Sequence, residues 1–452
     1  MRLIVWPMKN RIIRNARVVN EGMTFHSDVL IRHGRIEKVA PQIDVPYAAE
    51  DIRADGLCLM PGIIDDQVHF RDPGLTHKGD LYSESRAAAA GGVTSYMEMP
   101  NTQPQTTSRE LLEQKFQVAS RKSLVNYSFF MGGTNNNLEE LLRTDAKNVC
   151  GIKLFMGSST GDMLVDSPSA LEQIFSQCDM LIATHCEDDK LVKARLEEAL
   201  ELYGEDIPAF LHPVIRNEQV CLNSSSFAVE LAHKHNTRLH VLHITTLDEL
   251  GLFRNDIPLS QKRITAEACV HHLWFDERDY HRLGALIKCN PAIKEAKHKQ
   301  AIFEAVLDDR IDIIATDHAP HTLEEKGNIY AKSPSGLPLV QHTLNIMLDF
   351  YHQKKITLEK IAEKMCHAPA QCFQVSERGY IREGYYADLV LFDPEKKWTV
   401  QKENILYKCG WSPFEGHTFT GSVVETIVNG ETVYSNGAVV EAEAAMRLTF
   451  TR

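Results

Sequence analysis

The sequence has no Cys-x-x-Cys pair, although it contains ten cysteines. Cysteines scattered in this way argue against a structural zinc knot or a disulfide framework. They fit reduced thiols in a cytoplasmic protein. Positive charge is also in short supply: 49 Lys and Arg stand against 61 Asp and Glu, a net charge of −12. That balance argues against nucleic acid and anionic membranes as main partners. An anionic substrate would need a local cation to hold it against this field. No apolar run approaches the length of a membrane span. Pro7 and Lys9 interrupt the N-terminal Leu3-Ile4-Val5-Trp6 too early for a signal peptide. Repeats, low-complexity tracts and long linkers are missing as well.

What is present is an ordinary apolar share, 43% of 452 residues. That is enough for one domain of about 250 residues and a smaller module. Residues 1–60 read as short strands. Asp28–Arg32 and Arg35–Val39 flank His33-Gly34, a two-residue hairpin signal. The other end reads alike, with a strand at Ala387–Phe392 and a hairpin at Asn429-Gly430. The expectation is a flanking β module made of residues 1–60 and 380–452, since chain ends often lie close together. Between them, residues 61–379 alternate apolar runs with amphipathic helical patterns, the texture of an α/β fold with a parallel sheet. A TIM (β/α)8 barrel suits that length. Helix starts are expected at the capping-box patterns Thr107–Glu110 and Thr246–Glu249, and a charged helix at Glu187–Tyr203.

Five apolar runs end in a residue that can ligate a metal: His69, Lys153, His185, His243 and Asp317. In a barrel, polar residues at the C-terminal strand ends converge on one mouth. Each histidine alone is more often a hydrogen-bonded residue than a ligand; five such strand ends together point to a joint site. Lys153 lies between Gly151-Ile152 and Leu154-Phe155-Met156. Its ammonium either snorkels to the mouth or is desolvated into the neutral form that reacts with carbon dioxide. The resulting carbamate can bridge two divalent ions. Such a pair generates a nucleophile at neutral pH and polarises a carbonyl. Arg71 follows His69 by two and supplies a cation that grips an anion.

In this order, Pro61–Gly74, Met99–Pro104, Gly151–Phe155, Thr184–Glu187, Leu239–His243, Lys288–Pro291, Thr316–His321 and Ser412–Gly416 resemble the amidohydrolase superfamily, and within it the dihydroorotases. The resemblance implies reversible hydrolysis of dihydroorotate to N-carbamoyl-L-aspartate in pyrimidine biosynthesis, in a TIM barrel with a small β module. It implies zinc, one or two per chain, held by His69, Lys153 as a carboxylated bridging lysine, His185, His243 and Asp317. Asp317 also matches the residue that shuttles the proton. Arg71, Asn101, Asn290, His321, Ser335 and Gly336 match substrate-holding positions. A cytoplasmic homo-oligomer, simplest as a dimer, is implied too, with aspartate transcarbamoylase as a candidate partner.

One departure matters. The family writes His-x-His where this chain has Gln67-Val68-His69. An amide oxygen is a weak zinc ligand beside an imidazole, so the His69 metal is expected to be weaker than the His185/His243 metal. Asp65 or Asp66 is a candidate to compensate; on strand alternation Asp65 shares the face of Gln67 and His69. Two alternative functions stand beside the first. One is a related cyclic-amide hydrolase acting on a hydantoin, an allantoin or a dihydropyrimidine. The other is a catalytically weakened partner of aspartate transcarbamoylase. The loop Gly157–Asp162, rich in small hydroxyls, is expected either as a plain connection or as a lid over the substrate.

Overall fold

The computed structural model describes residues 10–157 and 163–452. The loop read above as either a plain connection or a lid falls, from 158 to 162, outside the described residues. Eight strand positions run parallel around a barrel: Ile63–Val68, Val93–Glu98, Asn126–Phe129 continued by Met131–Gly132, Ile152–Phe155, Ile182–His185, Leu239–Val241, Ile264–Cys269 and Ile313–Ala315. Nearly every residue in them is buried, as expected of parallel strands covered on both faces. The ring closes between its first and last strands, where His69 N donates to His318 O at 2.7 Å. It bends at the third strand, where Phe130 N donates to Glu98 O and Met131 N to Gly151 O, both at 3.0 Å.

Both chain ends build one nine-stranded sheet against the barrel. It joins strands Arg11–Asn20, Met23–Arg32, Arg35–Ala40, Glu50–Arg53 and Cys58–Pro61 to Leu389–Thr399, Thr418–Val428, Glu431–Ser435 and Ala438–Val439. Its two expected hairpin turns take positive φ at both central residues, 51° and 74° at His33-Gly34 and 50° and 82° at Asn429-Gly430, as the favoured two-residue turn requires. The second turn also anchors the sheet to the barrel. Asn429 Nδ2 donates to Asn126 Oδ1 on the third barrel strand at 2.7 Å, and Asn126 Nδ2 donates to Asp388 Oδ2 at 3.1 Å. Arg378 completes this buried knot through Asn429 and Asp388.

Helix starts depart slightly from the sequence reading. The first capping pattern is used one residue later, with Ser108 as N-cap of Arg109–Lys122. Thr246 and Glu249 do bond reciprocally, but they open a 3-10 turn at Asp248–Leu252. The charged helix begins at Asp189, capped by Asp188. Glu187 is not part of it, because its carboxylate is drawn inward to His185 and Arg216. Among the described residues no helix is long and apolar enough to cross a membrane.

Candidate active site

The C-terminal strand ends open on a cavity of about 250 Å3, room for a small ring. Gln67, His69, Arg71, Asn101, Lys153, His185, His243, Asn290, Asp317, Ser335 and Gly336 all line it. His321 lies just behind, with Nε2 3.0 Å from Arg71 Nη2. Three of these residues sit in left-handed backbone although none is glycine: Arg71, His243 and Asp317, at φ 70°, 40° and 49°. Such conformations cost energy and persist where surrounding structure holds them. Here each turns a strand end so that its side chain faces the cavity.

Two close pairs of donors line the cavity. His185 Nδ1 lies 3.0 Å from His243 Nε2. His69 Nε2 lies 3.1 Å from Asp317 Oδ1. Donor atoms this close can share one metal ion, whose bonds to nitrogen and oxygen span about 2.0–2.2 Å. Burial lowers the pKa of all three imidazoles, that of His243 well below its ordinary value, so they present the neutral form that ligates. The far sides of two rings are tied down. His69 Nδ1 meets Asn101 Oδ1 at 2.8 Å, and His185 Nε2 meets Glu187 Oε2 at 3.0 Å. Asn101, matched above to substrate holding, thereby also sets the tautomer of His69.

Lys153 is the least ordinary residue of the set. Its Nζ is buried with no hydrogen-bond partner among the described residues. Burial pushes its pKa down to about 7. An orphaned amine beside neutral imidazoles and a carboxylate is a donor set that fits a divalent metal, with Lys153 filling its place only once it carries an anionic group.

Asp65 does not compensate for Gln67. The first strand changes register between Asp65 and Val68, so simple alternation fails there. Asp65 instead accepts from Thr316 Oγ1 at 2.6 Å and Thr316 N at 3.2 Å, and burial raises its pKa well above the usual range. Gln67 reaches the cavity with its amide nitrogen donating to Asp317 Oδ1 at 3.2 Å, while its oxygen faces Cys269 Sγ at 3.6 Å. Ligation through that oxygen requires the amide to turn over. Gln67→His is therefore expected to raise the metal retained after washing in dilute chelator, measured per chain by elemental analysis. Equal retention in both proteins would show that the wild-type His69 position is already tight.

Arg71 is 5% exposed, and burial lowers its pKa to about 10, still far above neutrality. Its Nε donates to Pro320 O at 3.1 Å. The surroundings of its Nη2 follow from His321. Lys78 Nζ can only donate, so His321 Nδ1, 3.1 Å away, accepts. His321 Nε2 then carries the proton and donates to Ser335 O at 3.0 Å. Arg71 Nη2, 3.0 Å from that same nitrogen, meets a donor. An anionic oxygen in the cavity would resolve the clash.

The far wall is held by two caged lysines. Lys326 Nζ donates to the carbonyls of Lys288, Pro334 and Gly336 at 3.0–3.1 Å. Lys288 Nζ donates to those of Tyr330 and Ser333 at 2.7 and 2.6 Å. Gly336, at φ 132°, admits no side chain, since a Cβ would lie 2.6 Å from Ala319 O. Asn290 Oδ1 is buried without a hydrogen-bond partner among the described residues.

Sequence reasoning missed Arg216 and Phe155, which also line the cavity. Arg216 precedes the helix Glu218–His235 and ends no strand, so nothing in the pattern marked it. It pairs with Glu187. Burial alone would raise Glu187, but Arg216 and His185 bring it down to about 2. Arg216 therefore lines the cavity as one half of a buried ion pair.

Comparison with known proteins agrees with this geometry. Residues 58–433 match the amidohydrolase family. A dihydroorotase of Methanosarcina mazei is 32% identical over 415 residues, covering 89% of this chain and 90% of its own. An allantoinase of Solibacter usitatus is 30% identical over 444 residues, covering 96% and 95%. The solved structure of an L-hydantoinase (dihydropyrimidinase) from Arthrobacter aurescens superposes with a TM-score of 0.91 at 26% identity, over 98% of this chain and all of that one. Family match, barrel and convergent donors agree: the chain belongs to the amidohydrolase family, and is an enzyme that hydrolyses cyclic amides.

Proposed function

We propose that the enzyme is a dihydroorotase, opening and closing the ring between dihydroorotate and N-carbamoyl-L-aspartate. The observation that carries this reading is the setting of Arg71, a buried guanidinium whose Nη2 meets a donor and calls for an anionic oxygen. Dihydroorotate bears a carboxylate on its ring. Hydantoin, allantoin and dihydrouracil bear none. The ring-opened product has a second carboxylate, and Arg216, ion-paired with Glu187, also lines the cavity. The dihydroorotase of Methanosarcina mazei adds support.

In this reading His69, Lys153, His185, His243 and Asp317 hold zinc, with Lys153 as a carbamate. Zinc bound there supplies Lewis acidity, which lowers the pKa of water and polarises an amide carbonyl. The chain's own groups do the rest. Arg71 fixes the substrate carboxylate through its planar fork. Asn290 Oδ1 accepts from a ring N–H, and Ser335-Gly336 forms the wall against the ring. Asp317 takes the proton released by the attacking water and delivers it to the nitrogen set free when the C–N bond breaks.

Arg71→Lys keeps the charge and loses the fork. Hydrogen bonds to charged groups are worth about 1.5–3 kcal/mol, so kcat/KM for dihydroorotate is expected to fall roughly 10- to 100-fold. Activity on dihydrouracil, measured in parallel, is expected to stay where it was. A loss equal on both rings, or none on dihydroorotate, would remove Arg71 from the carboxylate.

A further inference from the structure

Beneath the cavity floor, inside the barrel, side chains from three strands converge away from the donors just described. Asp66 comes from the first strand, His240 from the sixth and Glu267 from the seventh. The side chains of all three are 0% exposed. One donor-capable atom from each lies within 4.8 Å of the others. His240 Nε2 is 3.2 Å from Asp66 Oδ2 and 3.7 Å from Glu267 Oε2.

The outer atoms of the group are satisfied and the inner ones are not. Glu267 Oε1 accepts from His243 N at 3.0 Å and from Cys269 Sγ at 3.3 Å. Thr265 Oγ1 donates to Leu239 O at 3.3 Å and lies 2.8 Å from His240 Nδ1. With its own proton spent on Leu239, that hydroxyl accepts from His240 Nδ1, and Nε2 faces the two carboxylates. Both oxygens of Asp66, Oε2 of Glu267 and Nε2 of His240 have no hydrogen-bond partner among the described residues. His240 Nε2 and Asp66 Oδ2, 3.2 Å apart, form an ion pair when the imidazole is protonated; burial alone would lower the His240 pKa, but Cys372, Asp66 and Glu267 hold it well above its ordinary value.

We propose that Asp66, His240 and Glu267 form a second, interior site for a divalent cation of the zinc class. A tetrahedral ion with bonds of about 2.0–2.2 Å has donor–donor edges of about 3.3–3.6 Å, which the 3.2 and 3.7 Å separations bracket. Two carboxylates balance a charge of +2, and the imidazole binds neutral. Both Asp66 oxygens are unpartnered, so this carboxylate can bind through either oxygen. One nitrogen and few oxygens suit zinc rather than calcium or magnesium, which demand six or more oxygen ligands. The ion would tie three strands together directly under Gln67, and Glu267 would hold the backbone of His243 from below. Without it, a protonated His240 stands between the two carboxylates, and the ion would take that proton's place.

The test is the position and count of zinc, which does not depend on which ring the enzyme hydrolyses. Crystals of the full chain grown with zinc are measured at the zinc absorption edge. Zinc per chain is determined for wild type, His185→Ala and Asp66→Asn after washing in dilute chelator. The expected result is an anomalous peak among Asp66, His240 and Glu267, kept in His185→Ala and lost in Asp66→Asn together with one zinc. A wild-type map with no peak there, whether or not the upper cavity is filled, overturns the proposal. So does a folded Asp66→Asn protein with an unchanged zinc count. If that variant does not fold, the wild-type map decides alone.

Discussion

Lys153→Ala is expected to weaken metal binding by more than about 100-fold and to take activity down with it. Removing a group that merely orients a ligand typically costs 10- to 100-fold in metal affinity, and Lys153 is proposed as a ligand itself. The physical ground is burial: it brings the Lys153 amine to about 7, so near neutrality a large share is the free base. A free amine adds to carbon dioxide, forming the N–C bond of a carbamate and releasing one proton. The sign of the pH dependence follows. Above pH 7 the amine is uncharged and bicarbonate assists metal reconstitution; below pH 7 it is protonated and the assistance fades. Metal per chain and dihydroorotate turnover, measured across pH 6–8 with and without bicarbonate, report both effects. Short carboxylic acids are expected to restore part of the activity of Lys153→Ala by entering the space left. A free amine at residue 153 with metals fully bound would contradict the role.

Asp317→Asn is expected to lower kcat by about 10²- to 10⁴-fold, the usual contribution of a positioned acid–base group. Asp317 Oδ1 stands against His69 Nε2 and Gln67 Nε2, on backbone held at φ 49°. An amide there keeps shape and can still accept a hydrogen bond, but it cannot carry a proton between water and leaving nitrogen. Metal content, measured alongside, separates loss of a ligand from loss of proton transfer. If kcat stays within tenfold while metal is retained, another group moves the proton.

The barrel and the strand-end donors were legible because a parallel α/β chain places one strand end after another on a single mouth. His69, Lys153, His185, His243 and Asp317 each terminate an apolar run, and the fold brings them to one cavity. Asp65 was misread because the register shift after it is a pairing irregularity between strands, invisible along one strand. Glu187 was read into a helix because its charge suits a helix start; the attraction of Arg216 and His185 decides its place instead. Arg216 itself comes from a connection between elements, where periodicity carries no information. Asn101 was matched to substrate alone, and its bond to His69 needs coordinates to see. The interior trio escaped notice because Asp66, His240 and Glu267 lie 27 to 201 residues apart on separate strands.

The most direct measurement compares kcat/KM of the zinc-reconstituted wild-type enzyme for dihydroorotate and for dihydrouracil, the same ring without its carboxylate. A buried Arg71 whose hydrogen bonds to that carboxylate are worth about 1.5–3 kcal/mol predicts a preference for dihydroorotate of at least roughly tenfold. Equal rates on the two rings, or turnover of hydantoin or allantoin with none of dihydroorotate, would contradict it.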